Sequence, residues 1–237
     1  MCGRYVQASS PTLLADRFGV TEIRPAAAEH EPDYNVTPRR DVPVIGEGDG
    51  GRALDLVRWG LIPSWAKDPK IGDRQINARA ETVAVKPAFR KAFQARRCII
   101  PADGFYEWRK LPGAESKRPA KQPYFIHRVD REPLAFAGLW ERWKDREDDD
   151  AEWIRSCAII TTDANETLRL VHNRMPVVLP ETAWDEWLDP ENHDVDALKR
   201  LLVPAPAAEF ALYPVSTMVN RPAENSSALL EPVPEPV

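Results

Sequence analysis

The stretch that decides the fold runs Cys98-Ile-Ile-Pro101-Ala-Asp-Gly104-Phe-Tyr-Glu107-Trp108. Two runs rich in β-branched and aromatic residues flank a short Ala-Asp-Gly break, the pattern of consecutive strands joined by a turn. Outward from it, the same pattern predicts strands at 3–8, 42–45, 54–59, 124–129, 134–143, 153–161, 177–179 and 210–215. Residues 54–59 alternate apolar and polar as a half-buried strand does. Helices are expected at 10–19, with Ser10 as N-cap, Pro11 at N1 and Gly19 as the stop. Others are expected at 87–95, where Phe89 and Phe93 share a face, and at 164–171, 181–188 and 194–202. Residues 21–34 read as loop, 46–51 as a hairpin connection and 111–122 as a mobile hairpin loop. Residues 59–82 read as a long irregular segment, too aromatic for disorder. Residues 145–152 are an acidic, solvated turn. No repeat or linker divides the chain. The expectation is an α+β fold: one domain over residues 1–233 on a curled, barrel-like, mainly antiparallel sheet with flanking short helices. The Pro/Glu-rich chain from 222 onward ends in a frayed tail at 234–237.

The totals narrow the classes. A chain of 237 residues with 43% hydrophobic residues and eight Trp can bury a large core. No apolar run approaches the ~20 residues of a membrane span, and the start carries no signal peptide. A cytoplasmic protein is expected, nucleoid-associated in a bacterium. Three dispersed cysteines, Cys2, Cys98 and Cys157, form no CxxC pair, so neither a disulfide framework nor a zinc site is expected. Cys98 and Cys157 lie in apolar runs where inert thiols are the default. The net charge is −5, but residues 1–100 hold 16 Lys+Arg against 12 Asp+Glu, and the remainder 16 against 25. A basic face built from the first half is therefore compatible with an acidic whole.

Four residues carry chemistry together. Removal of Met1 would leave Cys2 with an α-amine and a thiol on adjacent carbons, titrating near ~8 and ~8.5. Such an aminothiol condenses with an aldehyde to an imine, which the sulfur closes to a thiazolidine. The bland alternative is an incidental thiol at a loose end. Asn77 offers an amide for the amine or for a substrate hydroxyl; alternatively it caps a turn. Glu107 lies in an aromatic strand; a carboxylate partly buried there can act as general acid and base. Alternatively it is an outward strand charge. His172 has no second His at ligand spacing, which argues against a metal. GxSxG, P-loop and GxGxxG motifs are absent.

The ordered set MCGRY, YNVTP, WGLIPSWAKDP, INARAET, PADGFYEW, HNRMP and the late PVS resembles the SRAP family of abasic-site processing proteins, over nearly the whole chain. The resemblance implies a compact β-rich fold with a basic groove that shields abasic sites in single-stranded DNA through a covalent crosslink. It implies that Cys2 forms a thiazolidine with the ring-opened sugar and that Asn77 positions lesion and terminus. Glu107 would move protons in imine formation and crosslink reversal, and His172 would protonate the sugar ring oxygen. Arg4 and Arg79 match expected phosphate contacts, with Arg174 a further candidate. It also implies autoproteolytic removal of a leader, which here is Met1 alone. Residues 83–89 vary in the family, and which of them wedges against bases stays open. The chemistry of single-stranded DNA adds Arg39, Lys67 and Trp65 as cations and a stacking platform. No cofactor or metal is called for, and a monomer is expected. Two rivals remain: a cysteine hydrolase using Cys2, His172 and Glu107, and a non-catalytic nucleic-acid reader. The capture reading requires the Cys2 sulfur to face a pocket open to unpaired DNA.

Overall fold

A computed structural model describes residues 2–48, 50–111 and 120–235. In chain order its elements are β1 Tyr5–Gln7, α1 Pro11–Phe18, β2 Val20–Ile23, α2 Pro25–Ala28, β3 Asp33–Val36, β4 Asp41–Gly48, β5 Gly51–Trp59 and β6 Asn77–Arg79. Then come α3 Arg90–Ala95, β7 Arg97–Ala102, β8 Gly104–Lys110, β9 Lys121–Arg128, β10 Leu134–Trp143 and β11 Ile154–Asp163. The chain closes with α4 Glu166–Arg169, β12 Arg174–Pro176, α5 Trp184–Leu188, α6 Val195–Arg200 and β13 Phe210–Pro214.

Five strands close on themselves. β4 pairs β5, β7 and β10 pair antiparallel, and β10 pairs β11. Ile45 meets Ile99 to join β4 to β7. The ring shuts where β11 runs parallel to β5, with Ser156 opposite Arg58 and Cys157 opposite Trp59. Closure removes the open edges that a curled sheet would otherwise present. Beside the barrel lies a second sheet in the order β13-β9-β8-β1-β3.

Strand alternation assigns each side chain to a face. Val57, Trp59, Cys98, Ile100, Phe136, Cys157 and Ile159 turn toward the second sheet, where they pack with Cys2, Tyr5 and Phe105. Ile45, Ile99, Ala137, Ala158 and Ile160 turn the other way, beneath Leu14 and Phe18 of α1, Phe93 of α3 and Trp187 of α5. α1 begins as its sequence dictates: the Ser10 side chain accepts from Leu13 N at 3.2 Å. It stops at Gly19, whose φ of +65° suits a residue without a side chain. Burying Leu14 and Phe18 stabilises the packing by about 1.5–3 kcal/mol each.

The α+β, barrel-like, mainly antiparallel architecture is the expected one, but several segments differ. Residues 21–34 are not all loop: they hold β2, α2 and part of β3. β2 forms by pairing parallel with β5, a long-range contact that Thr21 and Glu22 do not advertise locally. Residues 46–51 are mostly strand, because β4 and β5 pair up to Gly48 and Gly51. The segment 59–82 contains a 3-10 turn at Pro69–Arg74 and β6, which pairs with β11. Residues 177–179 are not a strand; β12 precedes them, and Val178 keeps one isolated bridge to Phe136. The hairpin tip 112–119 lies outside the described residues. Of the tail expected to fray at 234–237, residue 235 is held in place, and residues 236–237 lie outside the described residues. Ser227–Leu230 forms a 3-10 turn, Tyr213 Oη donates to Leu230 O at 2.9 Å, and Glu235 accepts from Tyr124 Oη at 2.7 Å. No helix among the described residues is long and apolar enough to cross a membrane.

Candidate active site around the amino terminus

Cys2, Asn77 and Glu107 converge where the barrel meets the second sheet. β1 pairs β8 with Tyr5 opposite Phe105, and Tyr106 N–H donates to Arg4 O at 2.9 Å. Alternation along β8 sends Tyr106 to one cluster and Phe105 to the cluster that holds Cys2. Glu107 shares the parity of Phe105, so it faces the terminus, and it is buried (4% exposed). The outward-charge alternative for Glu107 therefore fails. β6 enters from the other wall. Asn77 pairs with Ile159 and shares its face, and Asn77 Nδ2 donates to the Cys2 carbonyl at 2.7 Å. The residue before it is fixed by Trp59 Nε1, which donates to Ile76 O at 2.9 Å. Asn77 Oδ1 is buried and has no hydrogen-bond partner.

Cys2 is not a loose end. It is fully buried, as are Cys98 and Cys157. Burial pushes its thiol well above the ordinary range, and the Glu107 carboxylate adds to that push. The expected opening to the sulfur is thus not present. The cause is packing: residue 2 sits in the cluster with Tyr5, Trp59 and Cys157 between the two sheets.

His172 stands on the turn between α4 and β12. Its N–H donates to Leu168 O at 2.9 Å, and its Nδ1 accepts from Arg174 N–H at 3.0 Å. With Nδ1 used as an acceptor, the neutral ring carries its hydrogen on Nε2. Among the described residues no group of three His, Cys, Asp or Glu side chains is placed to hold a metal.

The proposed cations divide into two groups. Arg4 is committed inward, its Nη1 donating to Asn35 Oδ1 at 2.7 Å and Val219 O at 2.6 Å. Arg174 is also committed: it bonds Glu81 at 2.6 Å, Asp163 at 2.8 Å and Thr161 O at 2.7 Å. In this state neither guanidinium is presented as a phosphate contact. Lys67 and Arg79 are exposed, as is Arg39, which lies 3.9 Å from Asp73. Arg39 adopts a left-handed φ of +76° and its N–H donates to Trp59 O at 2.8 Å. Trp65 is 52% exposed, its Nε1 donating to Pro87 O at 3.3 Å. That bond ties the loop of Trp65 to the segment 83–89, where Val85 is exposed.

Sequence reasoning passed over Asn35. Asn35 is buried and also donates to Arg221 O at 3.0 Å and Glu224 O at 2.8 Å. It therefore lashes the amino-terminal strand to the carboxy-terminal turns. Its place in YNVTP was the available signal.

These features define a barrel protein built around its own amino terminus, with an amide and a carboxylate facing a buried second-residue cysteine. The chain belongs to the family described as SOS response associated peptidase (SRAP), which it matches over residues 1–222. It is 44% identical to the abasic site processing protein YoaM of Bacillus subtilis over 232 residues, covering 98% of each chain. It is 32% identical to the abasic site processing protein YedK of Escherichia coli, covering 98% of this chain and all of the relative. A crystal structure of a protein from Bacteroides thetaiotaomicron superposes with a TM-score of 0.86 at 26% identity, covering 98% of this chain and 100% of that one.

Proposed function

We propose that this protein processes abasic sites in single-stranded DNA by forming a covalent thiazolidine through Cys2. The observation that carries the reading is the bond from Asn77 Nδ2 to the Cys2 carbonyl, with the buried Glu107 carboxylate near enough to push the Cys2 thiol up. The names of the relatives, abasic site processing proteins, support the lesion as substrate.

The chemistry balances without cofactor or metal. Loss of Met1 creates the α-amine and removes the residue that precedes the buried thiol. An abasic sugar is mostly a closed hemiacetal. As the C1′–O4′ bond breaks, His172 Nε2–H delivers a proton to the ring oxygen, and the C1′ hydroxyl proton, taken up by Glu107, is returned to His172 Nε2, so the open aldehyde forms with no net change in protons. The amine adds to C1′ to give a carbinolamine, which loses water to an imine as Glu107 shuttles the protons. The sulfur then adds to the imine carbon, and the thiol proton ends on the ring nitrogen. One water leaves overall. Asn77 holds the Cys2 backbone so that the amine meets the carbonyl in one geometry, and its Oδ1 can accept from that amine. Arg39, Lys67 and Arg79 supply charge along the strand, and Trp65 a stacking surface. A site that admits a sugar without its base selects the lesion without reading sequence. The protein acts as a monomer in this scheme.

The test is incubation with an abasic-site oligonucleotide followed by a denaturing gel. Wild type should give a slow-migrating adduct. Cys2→Ser keeps the amine and should give only an imine that survives when reduced with borohydride. A stable, unreduced adduct in that variant contradicts the ring-closing role. Turnover of a peptide without any adduct would favour the hydrolase instead. Equal non-covalent binding of intact and abasic strands would favour a simple reader.

A further inference from the structure

Two small residues leave a hollow among the barrel strands. Gly46 of β4 pairs with Ala53 of β5, and Val44 pairs with Asp55. Alternation puts all four on the face that carries Val57, together with Arg155 of β11 and with Trp140 of β10, which stands opposite Cys157. A Cβ at Gly46 would meet nothing within 4 Å. The missing side chain there and the short one at Ala53 leave a cleft of about 160 Å³, walled by Val44, Val57 and Trp140. The cleft lies apart from the amino-terminal site. Asp55 precedes Trp59 by four residues of β5, roughly 13 Å along a strand.

The rim of the cleft is charged. Asp55 is buried, and its Oδ1 accepts from Leu56 N–H at 2.8 Å. Its Oδ2 is shared by two guanidiniums, Arg24 Nε at 3.2 Å and Arg155 Nη1. A guanidinium can grip a carboxylate with two parallel N–H bonds. Here one oxygen serves both arginines, so Asp55 fills neither fork. The two side chains stay nearly half exposed, at 46% and 44%. Two further carboxylates stand near: Glu47, which Arg52 approaches at 3.6 Å, and Glu22, 3.9 Å from Arg24 Nη2. The space suits one ring, since an apolar cavity of about 150 Å³ holds a benzene. We propose that this cleft binds a small aromatic carboxylate, its ring against Trp140, Val44 and Val57 and its carboxylate on Arg24 and Arg155. Burial of the ring against the indole supplies affinity, and the two guanidiniums select an anion. Binding is non-covalent and does not depend on abasic-site capture.

The test is a titration of the full chain with benzoate, followed by backbone amide and indole shifts in NMR spectra. Saturable shifts are expected at Gly46, Ala53 and the Trp140 indole, with a dissociation constant of about 1 mM. Benzamide has the same shape without the charge and should bind about tenfold more weakly; benzoate should lose about as much with Arg155→Gln. Gly46→Val fills the cleft and leaves both arginines in place, and valine suits a strand. Saturable binding should vanish in that variant. Three results overturn the proposal: shifts in wild type that are absent, or scattered and unsaturated; equal affinity for benzamide and benzoate; or unchanged binding by a folded Gly46→Val. The first two use wild-type protein alone, so the proposal stays open to refutation whether or not the variant folds. Adduct formation with abasic DNA is a separate readout, and either claim can fail without the other.

Discussion

Asn77 Nδ2 lies 2.7 Å from the carbonyl oxygen of Cys2, joining β6, which lies against barrel strand β11, to the amino terminus across 75 residues of sequence. The contact is to backbone, so it holds the Cys2 carbonyl whatever the thiol does.

Removing that donor should therefore injure geometry before affinity. Asn77→Ala is expected to slow adduct formation about tenfold or more, with DNA binding near the wild-type level. Single-turnover gels and fluorescence anisotropy separate the two. A loss confined to affinity would show that Asn77 holds DNA and not the terminus.

Glu107 affects Cys2 through charge, besides the proton transfer proposed for it. Burial raises the Cys2 thiol first, and the Glu107 carboxylate raises it further. Glu107→Gln removes a negative charge that opposes thiolate formation. The thiol should then titrate at lower pH, read as an acid-ward shift in the pH profile of alkylation after Met1 loss. Adduct formation or reversal should slow in the same variant, with non-covalent binding kept. An unmoved alkylation profile would separate the two residues electrostatically.

Arg174 gives a pH-dependent stability. Its hydrogen bonds hold the Glu81 carboxyl below the usual carboxylate range. A depressed folded value contributes stability above the unfolded pKa near ~4.3 and loses it as pH falls through the folded value. Arg174→Gln should thus lower the unfolding temperature most near neutrality. The gap from wild type should narrow below about pH 4. A gap that widens in acid would contradict the assignment.

Gly60 supports the loop that carries Trp65. Its φ is +131°, and a Cβ there would stand 2.7 Å from Gly72 O. Its N–H donates to Cys157 O at 2.8 Å, beside the seam that closes the barrel. Gly60→Ala should cost about 1–3 kcal/mol, measured by denaturant unfolding. Wild-type stability would mean that the two loop backbones can separate freely.

Elements with strong local signals were legible in the sequence. Leu134–Trp143 falls on the expected bounds, and α1 starts and stops at its Ser10 and Gly19 signals. What was not legible depends on partners distant in sequence. β2 is polar in its middle and exists because β5 lies beside it. β6 spans three residues that pair with β11, far too short for a periodic pattern. The site was half legible. Glu107 lies in a readable strand, so its face follows from alternation once Phe105 is placed. The inward use of Arg4 and Arg174 could not be read, because a guanidinium's choice between a carboxylate and a phosphate is set in three dimensions. Burial of Cys2 likewise follows from two sheets meeting over it, not from MCGRY.

The most direct measurement is the intact mass of the product formed with an abasic single-stranded oligonucleotide. The predicted mass is that of the chain without Met1 plus the oligonucleotide, less one water, and the product should vanish in Cys2→Ala under the same unreduced conditions. A product that retains Met1, or that forms equally in Cys2→Ala, would contradict capture by the amino-terminal aminothiol.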